Sequence, residues 1–429
     1  RNDSAVVVWS GNGSGDTSGV FHRRYTVDLL NSITVDTTVD ENDGDTSSIA
    51  ALIATPGGTG ISLREAIIAT NNTTNIGGNP DEIHFNIAGA GPHTIAVTGS
   101  ALPTITDAVV IDGTTDPDWV SAPIIELNGA SAGAGVDGLF LGNTADGSTI
   151  RGLVINRFNG DGIQVESDSH FHTIVGNYIG LDVAGTTVLA NGAHGLNIGG
   201  DSNTIGGTTA AERNVISGNG VQGIFISAQG SNNLVIGNYI GTDVTGSLDR
   251  GNSSSGVIVQ GTNNTIGGTT AGARNVISGN DGHGVFLFSG GANQVLGNYI
   301  GTNAAGTAAI GNTTSGIRLS SSTAGNTIGG TIAGAGNLVS GNSEGITFSS
   351  AGAGNVVQGN FVGTNAAGTG GVGNTTTGIQ VTSTSGVTIG GSAAGAGNVV
   401  AASLNNGIVL SGAGTTNTVV QGNYIGTDV

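Results

Sequence analysis

From Thr149 onward the apolar residues fall in β-branched runs of three to five, each closed off by glycine or asparagine. Within a run the apolar positions alternate, which places them on one face of a strand. One such strand recurs with its first apolar residue at Ile163, Leu196, Ile224, Val257, Val285, Ile317, Ile346, Ile379 and Ile408, in steps of 33, 28, 33, 28, 32, 29, 33 and 29 residues. In a second series Asn203, Asn233, Asn264, Asn293, Asn326, Asn355 and Asn417 stand two places ahead of Ile205, Val235, Ile266, Val295, Ile328, Val357 and Val419. His172 heads that series and Val387 interrupts it. A third string, GNYIG, begins at Gly176, Gly237, Gly297 and Gly422, with GNFVG at Gly359, at intervals of 61, 60, 62 and 63 residues.

A coil that closes every 28–33 residues stacks each apolar residue on its counterpart below, and successive strands then pair in parallel about 4.7–4.9 Å apart. Propeller blades need four antiparallel strands each, and helical solenoids need a 3.6-residue period that the short runs lack. The expected fold is therefore all-β, a right-handed parallel β-helix (a solenoid) whose unit of about 61 residues is one long and one short coil. Loops such as TTAAER follow TIGG in the short coils, and loops such as TDVTGSLDRGN follow GNYIG in the long ones. Insertion at a turn leaves the stacked strands in register. Asparagine suits the corners, because it tolerates left-handed backbone and its amide can bond from coil to coil.

Ahead of Thr149 the repeat weakens. Ser62-Leu-Arg-Glu65 reads as a capping box, with the Ser hydroxyl and the Glu carboxylate each satisfying a backbone amide at a helix start. Leu63, Ala66 and Ile67 give that helix an apolar face, and Asn71 can end it. An uncovered coil end is an aggregation template, so residues 60–71, the one good helix candidate, are expected to form an N-terminal capping helix. Alternating runs at Ile83, Phe85 and Ile87, then Val109 and Ile111, then Ile124, Ile125 and Leu127 predict irregular first coils. Val6 to Trp9 and Val20-Phe21 flank a glycine turn and predict a hairpin. Three regions follow: a hairpin or linker element over 1–30, a capping region with irregular coils over 31–148, and regular repeats over 149–429.

Composition narrows the function classes. The 81 glycines lack a three-residue period, which excludes collagen, and 37% hydrophobic residues is too high for a disordered linker. The net charge is −19 and the ten basic residues are all arginine, so neither nucleic acid nor an anionic membrane surface is an expected partner. No cysteine means no disulfides and no thiolate metal site. The sequence has no apolar run of 18 residues and no initiator methionine, so a soluble processed product or a fragment, without membrane insertion, is expected.

Candidate chemistry is sparse, and no catalytic residue is assigned. Asp281-Gly-His283-Gly284 resembles the glycine-flanked histidine of polygalacturonase-like hydrolases, but the same corner elsewhere carries Asp161, His194, Gln222, Ser255, Ser315, Glu344, Thr377 and Asn406. An inverting glycosidase also needs a second carboxylate about 6.5–9.5 Å from the first, and no Asp-Asp pair lies near His283 in sequence. No cofactor is required. Ca²⁺ is the candidate ion, with Asp36, Asp40, Asn42, Asp43 and Asp45 as hard oxygen ligands in a run that departs from the EF-hand register. Asp182, Asp243, Asn303, Asn365 and Asp428 recur in the long-coil loops, where turn stabilisation is the expected role. Tyr178, Tyr239, Tyr299, Phe361 and Tyr424 form the best ligand-binding candidate. One ring every second coil is about 9.5 Å, too far for rings to stack on one another but comparable with a disaccharide repeat. The alternative is that each ring fills a corner of the core. Sequons such as those at Asn252, Asn312 and Asn374 are read as corner residues and as weak evidence of glycosylation.

The string ITVDTTVDENDGDTSSIAALIATPGGTGISLREAIIATNN resembles the CSLREA-type N-terminal module of bacterial surface proteins, and DEIHFNI, ALPTITDAVVIDGTT and GLVINRF resemble its continuation into NosD-like parallel β-helix repeats. Ile61 stands where that family's eponymous cysteine would be, which implies a packing position. The resemblance implies an exported, extracellular or cell-surface location and no established activity. The leading expectation is a secreted, non-catalytic structural or adhesive protein of the bacterial surface or matrix. It would self-associate through its coil ends, head to tail into filaments, or continue into further domains of a longer chain. A carbohydrate-binding module that docks glycans on the aromatic ladder is the alternative, and a polysaccharide lyase or hydrolase ranks lower.

Overall fold

From Val109 to Ser411 each coil contributes three short strands, whose axis-facing residues are aliphatic apart from Phe348. In a computed structural model that describes the strands Ser4–Ser10 and Val20–Thr26 and all of residues 31–427, these strands assemble into three parallel sheets of 13, 12 and 10 strands. The architecture is a right-handed parallel β-helix. The first sheet runs from Ser32–Val35 to Val419–Gln421, the second from His93–Thr98 to Tyr424–Ile425, and the third from Leu139–Leu141 to Asn406–Ser411. Register is kept throughout: Ile174, Ile205, Val235, Ile266, Val295 and Ile328 pair in turn in the first sheet, and Ile163, Leu196, Ile224, Val257 and Val285 in the third. All these side chains are fully buried in one continuous core. The strands Ser4–Ser10 and Val20–Thr26 pair antiparallel, while the intervening turn, residues 11–19, lies outside the described residues.

The long and short coils take a different form from the one predicted. Measured along the first sheet, coils are nearly equal, with ladder asparagines 30, 31, 29, 33 and 29 residues apart. In the second sheet the steps are 37 then 24, as from Asn177 to Asn214 and Asn214 to Asn238. Every coil carries one insertion, placed alternately before and after its second-sheet strand. Steps of 33 and 28 in the third sheet are the residue of that alternation.

Three asparagine ladders, rather than one, line the corners. The predicted ladder runs from Asn203 through Asn233, Asn264, Asn293 and Asn326 to Asn355, each backbone N–H donating to the next side-chain carbonyl at 2.8–2.9 Å. His172 joins it by donating its N–H to Asn203. Asn417 does not. The pairing of Thr388 with Val419 and of Ile389 with Val420 puts Thr418 at the ladder position, and Asn417 sits one residue earlier with φ 54°. That left-handed corner is the one Asn232 and Asn263 fill at φ 58°. A second ladder joins Asn177, Asn214, Asn238, Asn275, Asn298, Asn337, Asn360, Asn398 and Asn423. A third joins Asn191, Asn219, Asn252, Asn280, Asn312, Asn342 and Asn374. Asn252, Asn312 and Asn374 are thus buried ladder members, closed to a glycosyl transferase in the folded chain.

At the N-terminal end the helix Leu63–Asn71 closes the core with Leu63, Ala66, Ile67 and Ala69 buried. Its capping box is complete: Glu65 N–H donates to Ser62 Oγ at 3.1 Å, and Ser62 N–H to Glu65 Oε2 at 2.9 Å. Ile61 is 8% exposed, a packing position. A second helix, Ile49–Ala54, capped by Ser48, packs beside the lid and buries Ile49 and Leu52. Its six residues are too few to show a helical period.

Candidate functional site: an aromatic groove on the second sheet

In the second-sheet strands the residue next to each core isoleucine or valine points away from the axis. There aromatic and aliphatic side chains alternate by coil: Tyr178, Val215, Tyr239, Val276, Tyr299, Leu338, Phe361, Val399 and Tyr424 pair in turn. The five predicted rings therefore do form one ladder, on the outer face rather than in a corner of the core. Val154, Tyr178, Leu181 and Val215 make a small apolar cluster separate from the main core.

Both kinds of insertion border this face. The long loops after the second sheet press glycines onto the ring edges: a Cβ on Gly185, Gly246 or Gly306 would lie 3.1, 2.9 and 2.8 Å from the rings of Tyr178, Tyr239 and Tyr299. All three glycines have φ of 67°, which a side chain rarely adopts. The loops before the second sheet supply the other wall. Arg213 lies over the Tyr239 ring at 4.2 Å and Arg274 over Tyr299 at 4.0 Å, each tied down by its Nε–H to the carbonyl of Gly237 or Gly297. Gly336 and Gly397 hold the corresponding places in the next two units, so among the described residues no arginine covers Phe361 or Tyr424. The result is a groove of about 390 Å³ lined by Arg274, Tyr299, Leu338, Phe361, Val399 and Tyr424. Ile332 stands on its rim, 65% exposed.

Tyr178 is buried, and Tyr239, Tyr299 and Phe361 are half-buried. The ladder thus has a closed half, Tyr178 to Tyr299, where loops and arginines use the rings, and an open half, Phe361 and Tyr424, where glycine stands in place of the arginine. The sequence reading missed the arginines and their glycine replacements. The signal was present in the series AERN, GARN, GAGN, GAGN ahead of the second-sheet strands.

The acidic run does not converge. Asp36 accepts from Ile61 N–H at 2.7 Å, Asp43 from Gly58 N–H at 3.0 Å, and Asp45 from Ser47 N–H at 3.1 Å. Asp40 is buried against Arg64, with Oδ1–Nε 2.7 Å and Oδ2–Nη2 2.9 Å. Buried Glu65 accepts from Asp43 and Gly44 N–H as well as from Ser62. These oxygens bond backbone and arginine, which is the work of a folded loop. Among the described residues, three metal-type side chains converge only at His93, Asp116 and Asp118.

The long-loop series caps its own loops: Asp182 Oδ1 accepts from Thr186 and Thr187 N–H, Asp243 Oδ1 from Ser247 and Leu248, Asn303 Oδ1 from Thr307 and Ala308, and Asn365 Oδ1 from Thr369. Burial works against the charge of Asp182 and Asp243, yet these amide donors hold both carboxyls below the ordinary range. Asp428 lies outside the described residues. His283 is half-buried, with Nδ1 taken by Thr314 Oγ1 at 2.7 Å and Ser315 N–H at 3.2 Å. Burial, aided by Arg318, pulls its pKa down to about 4, which ill suits a proton carrier at neutral pH.

No protein-family model and no curated protein matches the chain. Two similar solved structures are the Dettilon tailspike protein and the A-module of a mannuronan C-5 epimerase from Azotobacter vinelandii. The tailspike is 15% identical over 93% of this chain and 71% of its own, with a TM-score of 0.52. The epimerase module is 15% identical over 85% of this chain and 95% of its own, with a TM-score of 0.39. At such identities the tailspike likeness speaks for the fold alone.

Proposed function

We propose that the chain is a non-catalytic glycan-binding β-helix of the bacterial surface, docking an extended neutral polysaccharide along the open half of its aromatic ladder. The observation that carries this reading is the change from Arg213 and Arg274 to Gly336 and Gly397, which leaves a groove lined by Tyr299, Phe361 and Tyr424 on a rigid sheet. Rings two coils apart lie about 9.5 Å from one another, a spacing at which alternate sugars of one extended chain meet successive rings. Apolar and aromatic lining with a few polar groups is the usual make-up of a binding site. The charge of −19 argues against a polyanionic ligand. The surface location rests on the CSLREA-type resemblance of residues 33–72, and the adhesive role follows from a rod that presents such a groove.

Affinity gel electrophoresis in neutral glucans, mannans and galactans tests it. Phe361→Ala, a half-buried ring on the groove floor, is expected to abolish retardation, and Ile332→Ala on the exposed rim to weaken it, with circular dichroism unchanged. Migration indifferent to every neutral glycan, or equal retardation of wild type and Phe361→Ala, rejects the reading.

A further inference from the structure

We propose that His93, Asp116 and Asp118 bind one divalent transition-metal ion of the zinc type, which staples the loop after the strand Val109–Asp112 to the strand His93–Thr98. The site lies in the irregular first coils and is independent of the glycan reading. His93 opens its strand, and its backbone N–H donates to Ile124 O at 2.8 Å, which fixes the ring's origin. Its side chain is 6% exposed, and Nε2 is buried with no hydrogen-bond partner. That nitrogen points between two carboxylates, 3.9 Å from Asp116 Oδ2 and 4.0 Å from Asp118 Oδ2, and the three donor atoms lie within 4.8 Å of one another.

These separations are too long for hydrogen bonds, whose N···O distance is about 2.7–3.2 Å. They approach what a shared ion requires. Ligand bonds of about 2.0–2.2 Å in tetrahedral geometry set donors about 3.3–3.6 Å apart, so the two histidine–carboxylate separations need to close by roughly half an ångström and the carboxylate pair by at most about 1.5 Å. The carboxylates are already aimed. Asp116 Oδ2 accepts from Ile87 N–H and Oδ1 from Asp118 N–H, both at 3.1 Å, while Asp118 Oδ2 accepts from Gly91 N–H at 2.9 Å. Such outer bonds orient metal ligands and leave lone pairs free. The Asp118 side chain is 45% exposed, which gives an entry path and room for water as a fourth ligand. An imidazole nitrogen among the donors selects zinc-like ions over calcium or magnesium. Trp119, Ser121 and Pro123, in the same loop, line the Tyr178 end of the aromatic face, so the ion would brace that wall.

The test is zinc chloride titrated into the metal-stripped full chain, followed by calorimetry and by metal analysis after dialysis. One equivalent is expected to bind and to raise the melting temperature. Asp118→Asn, at a half-exposed side chain that leaves folding intact, and His93→Gln are each expected to weaken binding about tenfold or more. His84→Gln, which removes a histidine elsewhere, is expected to change nothing. The absence of a stoichiometric site in wild type, a site that survives Asp118→Asn, or calcium binding as tight as zinc overturns the proposal.

Discussion

A ladder asparagine uses its whole side chain. Asn298 Oδ1 accepts from Asn275 Nδ2 at 2.9 Å, while its Nδ2 donates to Ile266 O at 2.8 Å and to Asn337 Oδ1 at 3.0 Å. Aspartate has no donors and alanine offers nothing, so a substitution orphans buried groups on both neighbouring coils. Asn298→Ala is expected to cost about 2–6 kcal/mol, counting two stranded partners at about 1–3 kcal/mol each. Asn303→Ala, in an exposed loop, should cost about 0.5–1 kcal/mol; urea unfolding followed by circular dichroism separates the two. Asp81 is the opposite case, buried with both carboxyl oxygens unpartnered. Burial, with Asp107 nearby, pushes its pKa up to about 6, against about 3.9 in an unfolded chain. The folded state therefore keeps a proton that the unfolded chain releases, and the contribution of Asp81 to stability falls as pH rises from about 4 to 6. Asp81→Asn is expected to be more stable than wild type at pH 7 and to lose that advantage at pH 4, as thermal melts at the two pH values would show.

At the scale of elements, the capping helix was legible because its signal is local. Ser62 and Glu65 are three residues apart, and the box they form depends on nothing distant. What sequence could not show is the second use of Glu65, whose Oε1 binds Asp43 and Gly44 N–H across 22 and 21 residues of chain. The acidic run read as a calcium loop because its spacing is dense. Its oxygens bond to amides and to Arg64, partners that only the fold brings near. Glu65→Gln replaces one acceptor oxygen with an amide that cannot accept, so a loss of about 1.5–3 kcal/mol is expected. Limited proteolysis should then cut between residues 36 and 45 faster than in wild type. Asn417 was misplaced for a related reason: asparagine serves both the left-handed corner and the ladder position after it, and one sequence letter does not tell them apart.

For the whole molecule, period and register were readable because stacking repeats the same residue types at every coil. The side on which each insertion falls was not, since a count along one sheet averages over it. That side decides the site: insertions before the second sheet bring Arg213, Arg274, Gly336 and Gly397 to one wall of the groove, and insertions after it bring Gly185, Gly246 and Gly306 to the other. The rings were identified from spacing alone, but which of them are covered depends on the paired loops.

The alternation of insertions makes length a matter of copy number. Removing residues 237–296 would join Ile236 to Gly297 and restore GNYIG, keeping all three ladders and both walls while deleting one ring. Such a chain is expected to fold with an unchanged circular dichroism spectrum and, since the open half stays whole, to bind the same glycan. Removing a single coil would also preserve the core, but it would set two like insertions in succession and break the groove. Lineages that lengthen or shorten this rod can therefore do so without loss only in pairs of coils, and its reach along a polymer changes in whole steps.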